Sequence, residues 1–242
     1  MITAIIQARM NSYRLPGKVL KKVEGMTFLE HMIRRVKRAN LLDKIIVATT
    51  DKSEDDAIAK ISEKSHIEVF RGSENDVLDR YYQTACKFSA EHIVRLTGDC
   101  PLMDPEIVDR VIGFYLENPG KYDYVSNINP PTYPWGMDVE IFSFNALEKS
   151  QKDSQDPLDK EHVTSYIRQH GDVFRKENIF YVPNFSFLRL TLDYPEDLSV
   201  ITRIFQELYP RNKNFNLGDI LNLYGRKPEI FSANIHIKRN NV

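Results

Sequence analysis

The sequence predicts an α/β fold built on a mainly parallel sheet with helices on both faces. Across the first half, short apolar runs alternate with amphipathic stretches of helical length, the order that right-handed βαβ units require. The first apolar run feeds directly into a basic loop punctuated by Pro16 and Gly17, and ligands of open α/β sheets gather at such strand ends. The 242 residues carry 42% hydrophobic side chains, enough for a sizeable core.

Ile2–Ala8 is the first expected strand. Residues 28–38 follow as a helix, because Phe28, Leu29, Met32, Ile33 and Val36 recur at helical spacing and Thr27 with Glu30 makes a capping-box pattern. A strand at 44–48, a helix over 53–64 and a strand at 67–70 come next. The helix expected over 76–88 buries Val77, Leu78, Tyr81, Ala85 and Phe88. A strand at 92–96, a helix at 105–117 and a strand at 122–125 complete the alternation.

The pattern then breaks. Residues 127–136 hold Pro130, Pro131 and Pro134 and cannot continue a strand or a helix. A strand at 139–142 and helices near 146–149 and 160–169 follow. Two extended segments, 173–181 and 187–192, read as an antiparallel pair, an extension of the sheet in the second half. Helices over 195–208 and 217–224 lead to a polar tail with Lys238, Arg239, Asn240 and Asn241. No repeat, low-complexity tract or long linker divides the chain. The expectation is one domain over 1–242, with an acceptor and dimerisation subregion at about 127–190 whose extended pair would serve as a homodimer arm.

Composition narrows the partners. Charged residues nearly cancel to a formal net charge of -1, so the global basic field that grips nucleic acid is absent. No apolar run approaches the ~20 residues that span a bilayer, and the run at 2–6 is too short for a secretory leader. Cys86 and Cys100 lack metal-type spacing and suit a reducing compartment. A cytoplasmic protein with a local anion site is expected.

Three segments carry chemistry. In QARMNSYRLPGK, residues 7–18, Arg9, Arg14 and Lys18 share the loop after the first strand, with Ser12 offering a hydroxyl and backbone N–H groups an anion nest. The Gly-x4-Gly-Lys-Ser/Thr spacing of kinases and GTPases is missing, as is a dinucleotide fingerprint. In RLTGDCP, residues 95–101, Asp99 ends a strand; alone it reads more readily as a helix cap or turn former. In RLTLDYPEDL, residues 189–198, Asp193 ends an alternating run on its polar side, and alone it reads as the N-cap of the helix opened by Pro195. As a pair beside a phosphate loop, the two aspartates suit Mg2+, a hard cation that takes carboxylates and phosphates together.

These segments, with RGSENDVLDRYY at 71–82, resemble the cytidylyltransferase family, which includes the enzymes that make CMP-sialic acid and CMP-Kdo. PWGMDVE at 134–140 and KEHVTSYI at 160–167 bring the sequence nearest to the spore coat polysaccharide type, and the likeness runs from about residue 2 to residue 205. The resemblance implies a three-layer nucleotide-diphospho-sugar transferase fold of Rossmann-like topology, CTP as donor, Mg2+ as cofactor, a sugar or sugar phosphate as acceptor and pyrophosphate as product. It implies Arg14 and Lys18 as catalytic residues. It places Gln7, Ala8, Arg9, Ser12, Gly72, Ser73, Asp79, Arg80, Thr97 and Gly98 around the nucleotide, and Asp99 and Asp193 on the metal. Asp138, Glu140, Glu161 and His162 fall where an acceptor pocket is expected.

Read as residues alone, Asp138 and Glu140 also suit the wet face of an edge strand, and Asp79 with Arg80 a surface pair on a helix. Two other functions compete. A glycosyltransferase of the same fold would carry an Asp-x-Asp metal motif, which GDCP does not supply. A non-catalytic nucleotide-binding relative has no need of both aspartates and all three loop cations.

Overall fold

The computed structural model describes residues 1–238, so Arg239, Asn240 and Asn241 lie outside the described residues. Strand β1 (Ile2–Gln7) runs into the basic loop, and a two-residue hairpin, β2 (Lys22–Val23) and β3 (Met26–Thr27), leads to helix α1 (Phe28–Val36). The expected capping box forms there, with Thr27 N–H donating to Glu30 Oε2 at 2.7 Å and Glu30 N–H donating to Thr27 Oγ1 at 3.1 Å. β4 (Lys44–Thr50), α2 (Asp56–Lys64), β5 (Glu68–Gly72), α3 (Val77–Lys87), β6 (His92–Thr97) and α4 (Pro105–Leu116) continue the alternation. β7 (Tyr124–Ser126), β8 (Glu140–Ser143), α5 (Phe144–Asp153), α6 (Pro157–His162), α7 (Ser165–Gln169), β9 (Lys176–Asn178), α8 (Pro195–Leu208) and α9 (Leu217–Arg226) make the second half.

The strands form one sheet in the order β5-β4-β1-β6-β8-β7-β9. β5, β4, β1 and β6 are mutually parallel, while β8 runs antiparallel to both β6 and β7. Strand parity sorts the core onto two faces. Ala4, Ile6, Val94 and Leu96 pack with α1, α4 and α8 through Leu29, Val108 and Ile204, while Ile5 and Ile93 pack with α3, α5 and α7 through Tyr81, Leu147 and Ile167. This is the three-layer α/β architecture with an antiparallel extension. The chain fills β1, β4 and β5 in one direction and then returns to place β6 on the other side of β1. That reversal opens a crevice beyond the carboxyl ends of β1 and β6.

Three expectations change in the second half. The antiparallel pair of 173–181 with 187–192 does not form. Only Lys176–Asn178 is strand, and it lies parallel beside β7. The 187–192 segment instead runs inward beside the proline-rich stretch, where Trp135 N–H donates to the Leu188 carbonyl at 2.9 Å and Leu192 N–H to the Asp99 carbonyl at 2.8 Å. Its alternating Leu188, Leu190 and Leu192 are all buried, so the strand-like pattern was real but its partner was a loop. The close approach needs Gly136, at φ 104°, because a side chain there would lie 2.6 Å from the Leu190 backbone. The helix expected over 160–169 breaks into α6 and α7 at Val163, whose φ is 56°. Finally, β8 is an interior strand between β6 and β7, so Asp138 and Glu140 do not belong to a wet edge.

Candidate functional site

A cleft of about 990 Å³ opens at the crevice, floored by the ends of β1 and β6 and walled by the basic loop and the segment before α8. The loop is closed by its own backbone: Gly17 N–H donates to the Met10 carbonyl at 3.0 Å, with Gly17 at φ 65°. Gly98 N–H donates to the Gln7 carbonyl at 2.8 Å, and a methyl group at Gly98 would sit 2.9 Å from Ala8 Cβ. The floor between the two strand ends is therefore bare backbone. Asp55, which the sequence reading passed over, fixes the loop's start. This buried carboxylate accepts from Met10 N–H at 2.7 Å and from Thr49 and Thr50 hydroxyls at 3.0 and 2.5 Å.

Lys18, Asp99 and Asp193 meet at the cleft's centre. Lys18 Nζ donates to Asp99 Oδ2 and to Asp193 Oδ1, 2.7 Å each, and the lysine is only 8% exposed. Burial works against the ammonium, but the two carboxylates outweigh it and raise the Lys18 pKa above its ordinary value. Asp99 is pulled the other way, its pKa lowered by Lys18 against the burial that would raise it. Arg14 Nη2 lies 3.1 Å from Asp193 Oδ1, and Arg189 Nη2 donates to Asp193 Oδ2 at 3.1 Å. Neither aspartate caps a helix: Asp104 caps α4, and Tyr194 with Asp197 caps α8.

Among the described residues no group of three or more His, Cys, Asp and Glu side chains is placed to hold a metal. The donor set nevertheless fits Mg2+. Two hard carboxylates converge on one cationic atom, the Lys18 ammonium. Mg2+ is commonly held by one or two carboxylates, with phosphate and water oxygens completing its shell.

The other expected residues divide. Gln7, Ala8, Arg9, Ser12, Arg80, Thr97 and Gly98 line the cleft, and Arg9 lies 3.8 Å from Glu161 across it. Arg80 is buried, donates through Nη1 to the Ser73 carbonyl, and keeps its Nε without a hydrogen-bond partner. It is therefore not a surface residue on α3. Gly72, Ser73 and Asp79 do not line the cleft. Gly72 packs against Arg80, where a methyl group would meet Arg80 Cγ at 3.3 Å, and Asp79 accepts from Gln83 along the helix at 3.1 Å.

On the acceptor side, Asp138, Glu140, Glu161 and His162 all border the cleft. Glu140, 3% exposed, is committed to the framework. Register sets it opposite Arg95, whose Nη1 lies 2.5 Å from Oε2, while Tyr124 and Thr164 hydroxyls donate to Oε1 at 2.6 and 2.7 Å. Arg95 holds its pKa below the ordinary value despite burial. His162 is half-buried and its pKa is lowered, chiefly by desolvation. Trp135 was also missed by the sequence reading; it borders the cleft with the Arg189 guanidinium 3.9 Å from its ring centre.

Residues 3–219 match the model of the family described as cytidylyltransferase. The chain is 37% identical to the uncharacterized protein MJ1063 of Methanocaldococcus jannaschii, covering 98% of this chain and 96% of that one. It is 34% identical to the spore coat polysaccharide biosynthesis protein SpsF of Bacillus subtilis, covering 94% and 95%. Among solved structures, a cytidylyltransferase from Leptospira borgpetersenii superposes with a TM-score of 0.92 at 32% identity, covering 99% of both chains. A CMP:2-keto-3-deoxy-manno-octonic acid synthetase complexed with CTP shares the fold, with a TM-score of 0.64 at 18% identity and coverage of 86% and 99%. With a family model matched over most of its length and relatives matched end to end, the chain belongs to the cytidylyltransferase family and is a nucleotidyltransferase.

Proposed function

We propose that this enzyme transfers the CMP moiety of CTP to a sugar or sugar derivative, releasing pyrophosphate, in cytoplasmic synthesis of surface polysaccharide. The observation that carries the reading is the Lys18–Asp99–Asp193 cluster, set at the switch point of the sheet and flanked by Arg14. The polysaccharide context rests on the likeness to SpsF.

The residues divide the work. Arg9, Arg14 and Lys18 bind the triphosphate and hold the negative charge that moves onto the departing pyrophosphate. Asp99 and Asp193 would hold Mg2+, which when bound neutralises phosphate oxygens and orients them. An acceptor oxygen forms the new bond to the α-phosphorus, the α–β bridging P–O bond breaks, and its electron pair leaves with pyrophosphate. His162 is the candidate to take the acceptor's proton. Its lowered pKa keeps the imidazole neutral near pH 7, the form a general base requires. Arg95 and Glu140 brace the wall from below by their buried ion pair.

A thermal-shift screen of the four ribonucleoside triphosphates with Mg2+ tests the donor. CTP should give the largest shift, since a ligand at 100 times its dissociation constant adds about 2.7 kcal/mol. A larger shift from another triphosphate, or nucleoside diphosphate instead of pyrophosphate as product, would overturn the reading.

A further inference from the structure

The family match ends at residue 219, yet the chain beyond it reaches the site. After α9, a short turn at Pro228–Phe231 buries Ile230 and Phe231, with the Phe231 ring edge-on to Tyr224 at 5.3 Å. That anchor delivers Asn234, 1% exposed, to the underside of the segment before α8. Asn234 Nδ2 donates to the Arg189 carbonyl at 3.0 Å and to Asp197 Oδ1 at 2.8 Å.

Asp197 is fully buried and takes the Arg189 guanidinium through two bonds, Nε to Oδ1 at 2.7 Å and Nη2 to Oδ2 at 3.0 Å. Asp197 Oδ2 also accepts the backbone N–H groups of Asp193 and Tyr194, both at 2.9 Å. The same Arg189 Nη2 donates to Asp193 Oδ2 at 3.1 Å. One guanidinium is thus shared between two carboxylates, and Asn234 supplies Asp197 with a neutral donor. Without that donor, Asp197 would depend more fully on Arg189, at the expense of the guanidinium's 3.1 Å contact with Asp193 Oδ2. The opposite oxygen of Asp193 is the one that meets Lys18 and Arg14.

We propose that Asn234 is a positioning residue for the Asp193 carboxylate, acting through Asp197 and Arg189, and that the segment 228–238 is a working part of the nucleotidyl-transfer site. The inference rests on the reading of Asp193 as a metal-side ligand. Its chemistry is general: groups that orient a metal-binding carboxylate typically change metal affinity by about 10- to 100-fold when removed.

Two substitutions test it. Asn234→Leu keeps the side chain's approximate volume and removes the donor. Asn234→Asp keeps the shape but sets a carboxylate against Asp197, and it regains a donating O–H only when protonated. Two readouts follow the relay. The chain has a single tryptophan, Trp135, stacked on Arg189, so its emission in the ligand-free protein reports the guanidinium's position. Calorimetric titration of CTP with and without Mg2+ reports the metal's contribution to binding.

Both variants should shift Trp135 emission and reduce the Mg2+-dependent gain in CTP affinity about tenfold or more, with a smaller change in metal-free CTP affinity. The Asn234→Asp defect should shrink as pH is lowered. Wild-type emission and a wild-type Mg2+ gain in both variants, with only a lower melting temperature, would overturn the proposal. If wild-type protein binds CTP with no Mg2+ gain while Asn234→Leu still shifts the emission, the relay stands and the metal assignment falls.

Discussion

Replacing Lys18 by methionine removes the ammonium from between Asp99 and Asp193 while keeping most of the side chain's bulk. Each carboxylate lies 2.7 Å from Nζ, and at an effective dielectric constant of about 20 each contact is worth roughly 6 kcal/mol before desolvation. Desolvating three charged groups consumes most of that gain. Asp193 keeps Arg14 and Arg189 when Lys18 is gone, but Asp99 has no other ion-pair partner among the described residues. Breaking a buried pair from one side costs about 3–5 kcal/mol, which in a chain of this length lowers the melting temperature by about 6–20 °C. Mg2+ should then act in opposite degree on the two proteins. In the ligand-free variant it takes the ammonium's place and restores part of the lost stability, whereas in ligand-free wild type the ammonium already satisfies both carboxylates until a triphosphate draws Lys18 away. Differential scanning calorimetry with and without Mg2+ measures this directly. Pyrophosphate release should fall by about 10²–10³-fold, the usual cost of losing one preorganised charge stabiliser. A variant that melts at the wild-type temperature without Mg2+, and gains nothing from it, would refute the reading of this cluster as a cation site.

The loop clamp and the buried carboxylates give the remaining predictions. Asp55→Ala leaves Met10 N–H and the Thr50 hydroxyl without their acceptor, so CTP affinity should fall about tenfold, from the loss of about 1–3 kcal/mol of satisfied hydrogen bonding; calorimetric titration giving wild-type affinity would count against the clamp. For pH, the folded pKa values of Asp99 and Glu140 are lowered, so their stabilisation is present above the ordinary carboxylate range and is lost as pH falls through the folded values. Melting temperature should therefore drop below about pH 4, and Glu140→Gln should flatten that acid limb. Lys18, with a raised pKa, keeps its stabilisation until pH rises past the ordinary lysine value.

Much of the fold was readable because it rests on local periodicity. The spacing of Phe28, Leu29, Met32, Ile33 and Val36 specifies α1, and Thr27 with Glu30 its start, without reference to any other part of the chain. The second half resisted because its elements depend on distant partners. Leu188, Leu190 and Leu192 alternate as a strand should, yet what they pair with is set by Gly136 and the proline-rich stretch, not by any strand-like neighbour. Likewise the helix over 160–169 has a continuous pattern, but the backbone breaks at Val163 and the Thr164 hydroxyl beside the break donates to the distant Glu140.

The site was legible in its charges and hidden in its supports, for a physical reason. Alternation correctly put Arg189, Thr191 and Asp193 on one side of the chain, and the ordinary rule makes a polar side wet. Here that side is buried, with Arg189 and Thr191 at 3% exposure and Asp193 at 7%. Parity tells two faces apart and says nothing about which one meets water. The rule fails where opposite charges compensate each other's desolvation: Arg189 against Asp193 and Asp197, and Lys18 against Asp99 and Asp193. Such a cluster is held by groups from far along the chain, Asp55 under the loop and Asn234 under Asp197. Single polar residues of that kind carry no periodic signal, so these supports emerge only when the chain is folded. A carboxylate pair in a binding cleft works best when it is fixed before the ligand arrives, and Arg189 behind Asp193, itself held by Asp197 and Asn234, supplies that fixation.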